Sequence, residues 1–333
     1  MYIIFFLELD GGIGIAEMLY RCNIMALVGG GEHPKYLTNK VIIWDDHQKK
    51  VISELKFSTE VKSVRMRKDK YVKLLFYFIN RIIVICEQKI FVFDFNKFQD
   101  LDIIDTFENP KGIVALSYDP NKTVLAYPAD KTKGYVRVKC YETNTTSLIN
   151  AHESGIAYIA LNKDGSLLAT ASDKGTLIRI FQSSNGLFLQ EVRRGKDKAE
   201  IECICFDSTS KLLGVSSNKG TIHIFSLTSG LKKMKAEENG QIEEEKEEGL
   251  PQNHVSIFKG LPNFLTGGFF KSEWSFAQVR INEENAKITF INNNTLVAIT
   301  PKGHYYKVEI DLKKGGEGKI IEKSNLFDNE NSS

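Results

Sequence analysis

Apolar residues along this chain fall in short blocks separated by clusters of Gly, Asn, Asp and Ser. Recurrence at every third or fourth position, the mark of an amphipathic helix, is scarce. Alternation and short continuous apolar runs dominate, and this predicts an all-β fold. One unit recurs clearly. The stretch "LNKDGSLLATASDKGTLIRIFQSSNG" (161–186) aligns with "FDSTSKLLGVSSNKGTIHIFSLTSG" (206–230). Each holds a turn, an apolar strand, the sequence Ser-x-Lys-Gly-Thr, and a second strand. The Lys-Gly pair predicts a tight hairpin, since Gly adopts positive φ without a Cβ clash.

Weaker copies are "NKVIIWDD" (39–46), "QKIFVFDF" (88–95), "YVRVKCYET" (135–143) and "GHYYKVEID" (303–311). The aromatic residues Trp44, Phe93, Tyr141, Phe181 and Phe225 recur at intervals of 49, 48, 40 and 44. Repeats of roughly 40–45 residues with four short strands each predict propeller blades. Six such units are legible, and Trp44-Asp45 carries the Trp-Asp pair of that repeat class.

Three segments interrupt the pattern. "KKMKAEENGQIEEEKEEGLPQNH" (232–254) is dense in charge and poor in large apolar residues, which predicts a mobile loop between strands of one blade. "LLFYFINRIIVIC" (74–86) is the most apolar run, but it is 13 residues long and holds Asn80 and Arg81. A helix needs about 20 apolar residues to cross a bilayer, so a buried strand pair is expected here. The start, "MYIIFFLELDGG", lacks a basic flank and a small-residue cleavage site, so no signal peptide is expected. A single propeller domain is expected over 1–327, with a disordered tail at 328–333.

Composition narrows the function classes. The 333 residues carry a net charge of +2, so no global field draws the chain to nucleic acid, and any anion site must be local. The five cysteines, Cys22, Cys86, Cys140, Cys203 and Cys205, form no CxxC pair. This predicts a reducing, cytosolic setting with neither disulfides nor zinc. "VGGGEHPKY" (28–36) lacks the spacing of a phosphate-binding nucleotide loop and is expected to be a surface turn. No arrangement of nucleophile, base or paired carboxylates marks a catalytic centre, and no cofactor is expected.

The candidate chemistry centres on "EVRRG" (191–195). Neighbouring side chains on an extended backbone point to opposite sides, so Arg193 and Arg194 should serve two places. Guanidinium forks match phosphate oxygens, and hydroxyls and turn amides add neutral donors. One set of such donors is Ser172, Thr176 and Arg179, with His152 from the preceding "AHES"; the other is Ser217, Thr221 and His223. Protonation of the two histidines near pH 6 would strengthen phosphate binding.

The stretches "EMLYRCNIMALVGGGEHPKY", "NKVIIWDD", "VKSVRMRKDK", "AHESGIAYIALNKDGSLLATASDKGTLIRIF", "EVRRG", "NKGTIHIF" and "SEWSFAQVRI" resemble the PROPPIN family, the WIPI proteins of autophagy. The resemblance implies a seven-bladed, WD40-like β-propeller with about six complete blades in this chain. Only about ten residues precede "GGI", so the family's first blade would be missing or reduced. "YVKLLFYFINRIIVICEQKI" also runs longer than the corresponding strand pair. The family's two head-group pockets map onto His152, Thr170, Ser172, Thr176, Arg179 and Arg193, and onto Arg194, Ser217, Thr221 and His223. Their implied ligands are phosphatidylinositol 3-phosphate and phosphatidylinositol 3,5-bisphosphate. Pro34, Lys35 and Lys40 match a region that engages autophagy proteins, among them a lipid-transfer partner. The implied protein is a non-enzymatic monomer that binds no nucleic acid. It would work in the cytoplasm, peripheral on the phagophore assembly site and on endosomal or vacuolar membranes. A propeller scaffold with two degenerate pockets is the alternative reading, since fold alone does not determine function.

Overall fold

The computed structural model describes residues 9–72, 77–239, 252–255 and 273–328. They form two compact units, Met1–Val114 with Tyr118–Asn121, and Ala115–Ser117 with Lys122–Ser333.

The first unit holds two four-stranded antiparallel sheets. Sheet one comprises Ile13–Met18, Ile24–Gly29, Lys40–Asp45 and Lys50–Lys56. Sheet two comprises Val61–Val72, Tyr77–Cys86, Lys89–Asp94 and Gln99–Asp105. Side chains buried between them include Val41, Ile43, Val64, Ile82 and Val84.

The second unit holds four sheets. The third comprises Ala115–Leu116, Val124–Pro128, Gly134–Cys140 and Thr145–His152. The fourth comprises Ile156–Leu161, Leu167–Ser172, Leu177–Gln182 and Phe188–Arg193, widened at its outer edge by Glu273–Trp274 and His254–Val255. The fifth comprises Ile201–Phe206, Leu212–Ser217, Thr221–Ser226 and Ala277–Arg280, with Gly316–Glu317 beside it. The sixth comprises Lys287–Phe290, Thr295–Ile299, His304–Glu309 and Lys319–Asn325. Among the described residues, six sheets therefore stand where six repeat units are legible in the sequence.

Burial within a sheet follows the residue pattern. Second strands such as "LLATAS" and "LLGVSS" are buried at every position, as expected of strands covered on both faces. Fourth strands such as "KVISELK" and "QDLDIID" alternate between half-buried and exposed. The aromatic repeat marks the ends of the third strands. Phe93, Phe181 and Phe225 are buried there, and Trp44 is half-buried. Tyr141, also half-buried, falls one residue past its strand. Each fully buried aromatic or aliphatic side chain stabilises the fold by roughly 1.5–3 kcal/mol.

The turns between first and second strands repeat as well. Asn162 Oδ1 accepts from the Leu167 amide at 2.9 Å, and Asp207 Oδ1 accepts from the Leu212 amide at 2.7 Å. Both are local side-chain-to-backbone bonds of the kind that make Asn and Asp turn residues.

Two expectations need correction. The interval 232–254 begins as a helix, Thr228–Asn239, and not as a loop. Lys, Met, Ala and Glu are good helix formers, and Leu231 and Met234, three apart, pack on the core between the fourth and fifth sheets. Residues 240–251 lie outside the described residues. The run 74–86 is one strand, Tyr77–Cys86, paired with Val61–Val72, and not a strand pair of its own. Its centre, Ile82–Ile85, is apolar and fully buried, which periodicity alone cannot divide into elements. Residues 74–76 and the tail from 329 lie outside the described residues.

Candidate anion-binding site

Two hairpins of the second unit carry Thr170, Ser172, Thr176 and Arg179, and Ser217, Thr221 and His223. In each, a glycine with positive φ turns the chain from second to third strand: Gly175 at +61° and Gly220 at +69°. A Cβ on Gly175 would lie 1.9 Å from Ala199 O, so this turn leaves no room for a side chain. The lysine-glycine pairs are thus a backbone requirement before they are anything else.

Of the first set, the structure brings His152, Thr170 and Arg179 together, with Thr170 at the register position opposite Arg179. The Thr170 hydroxyl donates to Arg179 O at 3.3 Å, and His152 Nε2 lies 3.0 Å from Thr170 Oγ1. With the hydroxyl hydrogen committed to the carbonyl, Nε2–H of His152 is the donor. Arg179 Nε donates to Glu191 Oε2 at 2.9 Å and Nη1 to Ala151 O at 2.7 Å. Glu191 was absent from the sequence-derived set, although its place two residues before Arg193, on the same strand face, could have revealed it. Ser172 is buried at the end of its strand, and Thr176 is half-buried in the turn.

The arginine pair ends the fourth strand of the fourth sheet. Arg193 lies opposite Leu177 and beside Trp274. Both arginines are nearly buried, at 8% and 6% exposure. Burial pulls both guanidiniums below their ordinary pKa, partly offset by Glu191 for Arg193 and by Asp197 for Arg194. The backbone N–H of Arg194 donates to Thr176 O at 2.9 Å. Its Nε donates to Gly175 O at 3.0 Å, and Nη2 donates to Asp197 O.

The second set lies on the fifth sheet. His223 Nδ1 is 3.2 Å from Ser275 Oγ, and its ring stacks on Phe225. The Ser217 hydroxyl is buried and has no hydrogen-bond partner, an arrangement that native proteins rarely leave unexplained. Thr221 pairs with Arg280 of the adjoining strand and is half-buried.

Electrostatics sets both histidines apart. His152 is pushed down to about 4, first by burial and then by the Arg179 charge. His223 is likewise pushed down to about 4, by burial and then by the Arg194 charge. Both imidazoles are therefore neutral near pH 6, which corrects the expectation that they protonate there. Besides burial, both feel a positive charge from arginines of the fourth sheet, Arg179 at His152 and Arg194 at His223.

Pro34, Lys35 and Lys40 lie in the first unit, Pro34 and Lys35 in the connection between second and third strands of sheet one and Lys40 at the start of the third strand. Pro34 bridges to Gly12, and the Lys35 amide donates to Gly12 O at 3.0 Å. Lys40 Nζ pairs with Glu54 at 3.0 Å. Among the described residues, no cluster of three or more His, Cys, Asp or Glu side chains is placed to hold a metal ion, and no helix is long and apolar enough to cross a membrane.

Comparison with known proteins bears on these features. The family model described as PROPPIN matches residues 15–327. Autophagy-related protein 18e of Arabidopsis thaliana is 34% identical over 321 residues, covering 96% of this chain and 78% of that protein. Kluyveromyces lactis Hsv2 aligns with a TM-score of 0.66 at 24% identity, over 94% of this chain and 87% of that one. A complex of KlAtg21 with the coiled coil of AgAtg16 aligns with a TM-score of 0.68 at 24% identity, over 94% and 84% of the two chains. The fold is that of these β-propellers, and the six sheets are blades.

Proposed function

The chain belongs to the PROPPIN family, and from that premise we propose that it is a non-enzymatic, peripheral membrane adaptor of autophagy. It reads 3-phosphorylated inositides through the two hairpins that flank Arg193 and Arg194. The observation that carries this reading is the charge arrangement: two nearly buried adjacent arginines, with the Arg194 charge acting on a neutral His223 and the Arg179 charge on a neutral His152. Burying guanidiniums costs desolvation, which Glu191 and Asp197 offset only in part. A phosphomonoester offers two negative charges and several acceptors, and so suits such a place. The buried Ser217 hydroxyl adds an uncommitted donor on the fifth sheet.

In this reading Arg193, on the Glu191 face, works with His152, Thr170, Ser172, Thr176 and Arg179. Arg194, whose charge acts on His223, works with Ser217 and Thr221. The ligands are phosphatidylinositol 3-phosphate and phosphatidylinositol 3,5-bisphosphate, on phagophore, endosomal or vacuolar membranes. Pro34, Lys35 and Lys40 form the docking place for an autophagy protein, and the coiled coil bound by KlAtg21 is the kind of partner considered.

The test is flotation with liposomes that contain or lack each inositide. Arg193→Thr with Arg194→Thr should abolish inositide-dependent flotation while the protein remains folded, with some loss of stability from the lost Arg194 bonds to Gly175 O and Asp197 O. A folded double variant that still floats would leave the arginines as structural cations and overturn the reading.

A further inference from the structure

The hairpin of the sixth sheet repeats the one that carries Ser217, Thr221 and His223. In the fifth sheet Val215 pairs with His223, and in the sixth Ala298 pairs with Tyr306. Counting from these pairs, Thr300 takes the place of Ser217, Gly303 that of Gly220, His304 that of Thr221, and Tyr306 that of His223. "TPKGHYY" thus answers "SNKGTIH" position by position. Gly303 has φ +78°, against +69° for Gly220, so the turns share their backbone form.

The sixth-sheet set differs in already holding an anion. Glu283 Oε2 accepts from the Thr300 hydroxyl at 2.8 Å, Oε1 lies 2.9 Å from His304 Nδ1, and the Tyr306 hydroxyl also donates to Oε1. Burial alone would raise this carboxyl, but the bonds from Tyr306, His304 and Thr300 hold it down at about 2. The side chain is 12% exposed. Lys323 Nζ sits 5.2 Å from the Tyr306 ring centre, so a cation stands beside the cluster.

Glu283 reaches this place by the route that the arginines use one sheet earlier. Arg194 N–H donates to Thr176 O, and Ile281 N–H donates to Gly220 O, each just past its sheet's fourth strand. The connecting segment then delivers a side chain towards the next sheet. Asn282 and Asn285, on either side of Glu283, have φ of +55° and +59°. Asn tolerates this left-handed conformation better than other non-glycine residues.

We propose that the sixth-sheet hairpin is a third cradle for a small oxyanion, a phosphomonoester or its equivalent, closed by the tethered carboxylate of Glu283. The carboxylate holds the place an external phosphate oxygen pair would take, and so confines head-group binding to the other two hairpins. The inference rests on the fifth-sheet hairpin being an anion site, and the measurement below reads the two separately.

The experiment follows the His223 and His304 imidazole signals by NMR in the full chain during titration with inorganic phosphate. In the parent protein the His223 signal should move and the His304 signal should not. In Glu283→Ala the His304 signal should shift saturably, with an apparent affinity at least about tenfold above the parent's, a gain of about 1.4 kcal/mol. Adding Thr300→Val to Glu283→Ala should abolish the response. Glu283→Gln, whose neutral amide still fills the space, should behave as the parent. If Glu283→Ala does not fold, Glu283→Ser empties most of the same space. A folded Ala or Ser variant whose His304 signal ignores phosphate overturns the third cradle, as does a parent whose His304 signal already responds. A silent His223 with a responsive His304 in the Ala variant would sink the fifth-sheet reading and leave the third cradle standing.

Discussion

Arg179 Nε donates to Glu191 Oε2 at 2.9 Å across the third and fourth strands of the fourth sheet. The guanidinium is thereby aimed before any ligand arrives, and its charge is partly offset. A phosphate bound here has to share Arg179 with a carboxylate.

Glu191→Gln should therefore tighten head-group binding at the His152 side about three- to tenfold, because a like charge beside the anion is removed. The pair is partly exposed, so the stability change should stay within about 1 kcal/mol. Calorimetry with a soluble inositol phosphate checks the first value and denaturant unfolding the second. Weaker binding would mean that Glu191 matters for orienting Arg179 more than it costs in repulsion.

The histidines predict how stability depends on pH. His152 and His223 titrate at about 4 in the folded chain and near 6.5 when unfolded. Above pH 6.5 neither state binds these protons and no dependence arises. As pH falls from 6.5 towards 4 the unfolded chain takes up protons that the folded chain does not, and stability declines. The loss approaches the order of 3 kcal/mol for His152 alone. Folded-state NMR should place both midpoints near pH 4, and a bound phosphate should raise them. Midpoints above pH 6 in the free protein would contradict the positive potential assigned to both sites.

Binding stoichiometry follows from the two faces of the arginine pair. Soluble head group should bind the parent at two sites, and Arg193→Thr or Arg194→Thr at one. On liposomes each single variant should lose far more than one contact's share, because two sites on one membrane add avidity of about 10²–10⁴. A parent that binds a single head group in calorimetry would leave one working hairpin.

Glycine-to-alanine changes should rank by the space at each turn. Gly175→Ala meets both positive φ and the Ala199 carbonyl, and should cost roughly 2 kcal/mol or more. Gly31, at φ +80° with open space around it, should cost about 1 kcal/mol. Chemical denaturation of the two variants gives the comparison, and equal losses would show that the Ala199 contact relaxes freely.

The helix Thr228–Asn239 gives the last prediction. Leu231 and Met234 face the core between the fourth and fifth sheets, so replacing both by Asp should lower stability by about 2–5 kcal/mol. If they served a membrane instead, the double variant would melt as the parent does and lose only liposome binding.

The sequence by itself determined the class of fold and the number of legible repeats. Strand alternation, Lys-Gly turns and recurring aromatics are local signals, and each is imposed by backbone geometry or by burial within one blade. It also determined the chemical identity of the candidate residues, since only guanidiniums, hydroxyls and imidazoles recur around Arg193 and Arg194. The tertiary structure alone decided what those residues do to one another. Register, and not spacing, places Thr170 opposite Arg179 and sets Glu191 against it. Burial beside arginines, which no local pattern encodes, holds the histidines neutral at pH 6. The same holds for the recurring register shift at the start of the first strands, between Ile13 and Ile15, Val61 and Ser63, Ile156 and Tyr158, and Ile201 and Cys203. Glu283 reads in sequence as one more loop carboxylate. It becomes the occupant of a hairpin cradle only because the connection after the fifth sheet ends against the sixth, a contact set by packing between residues that have no helical or strand periodicity in common.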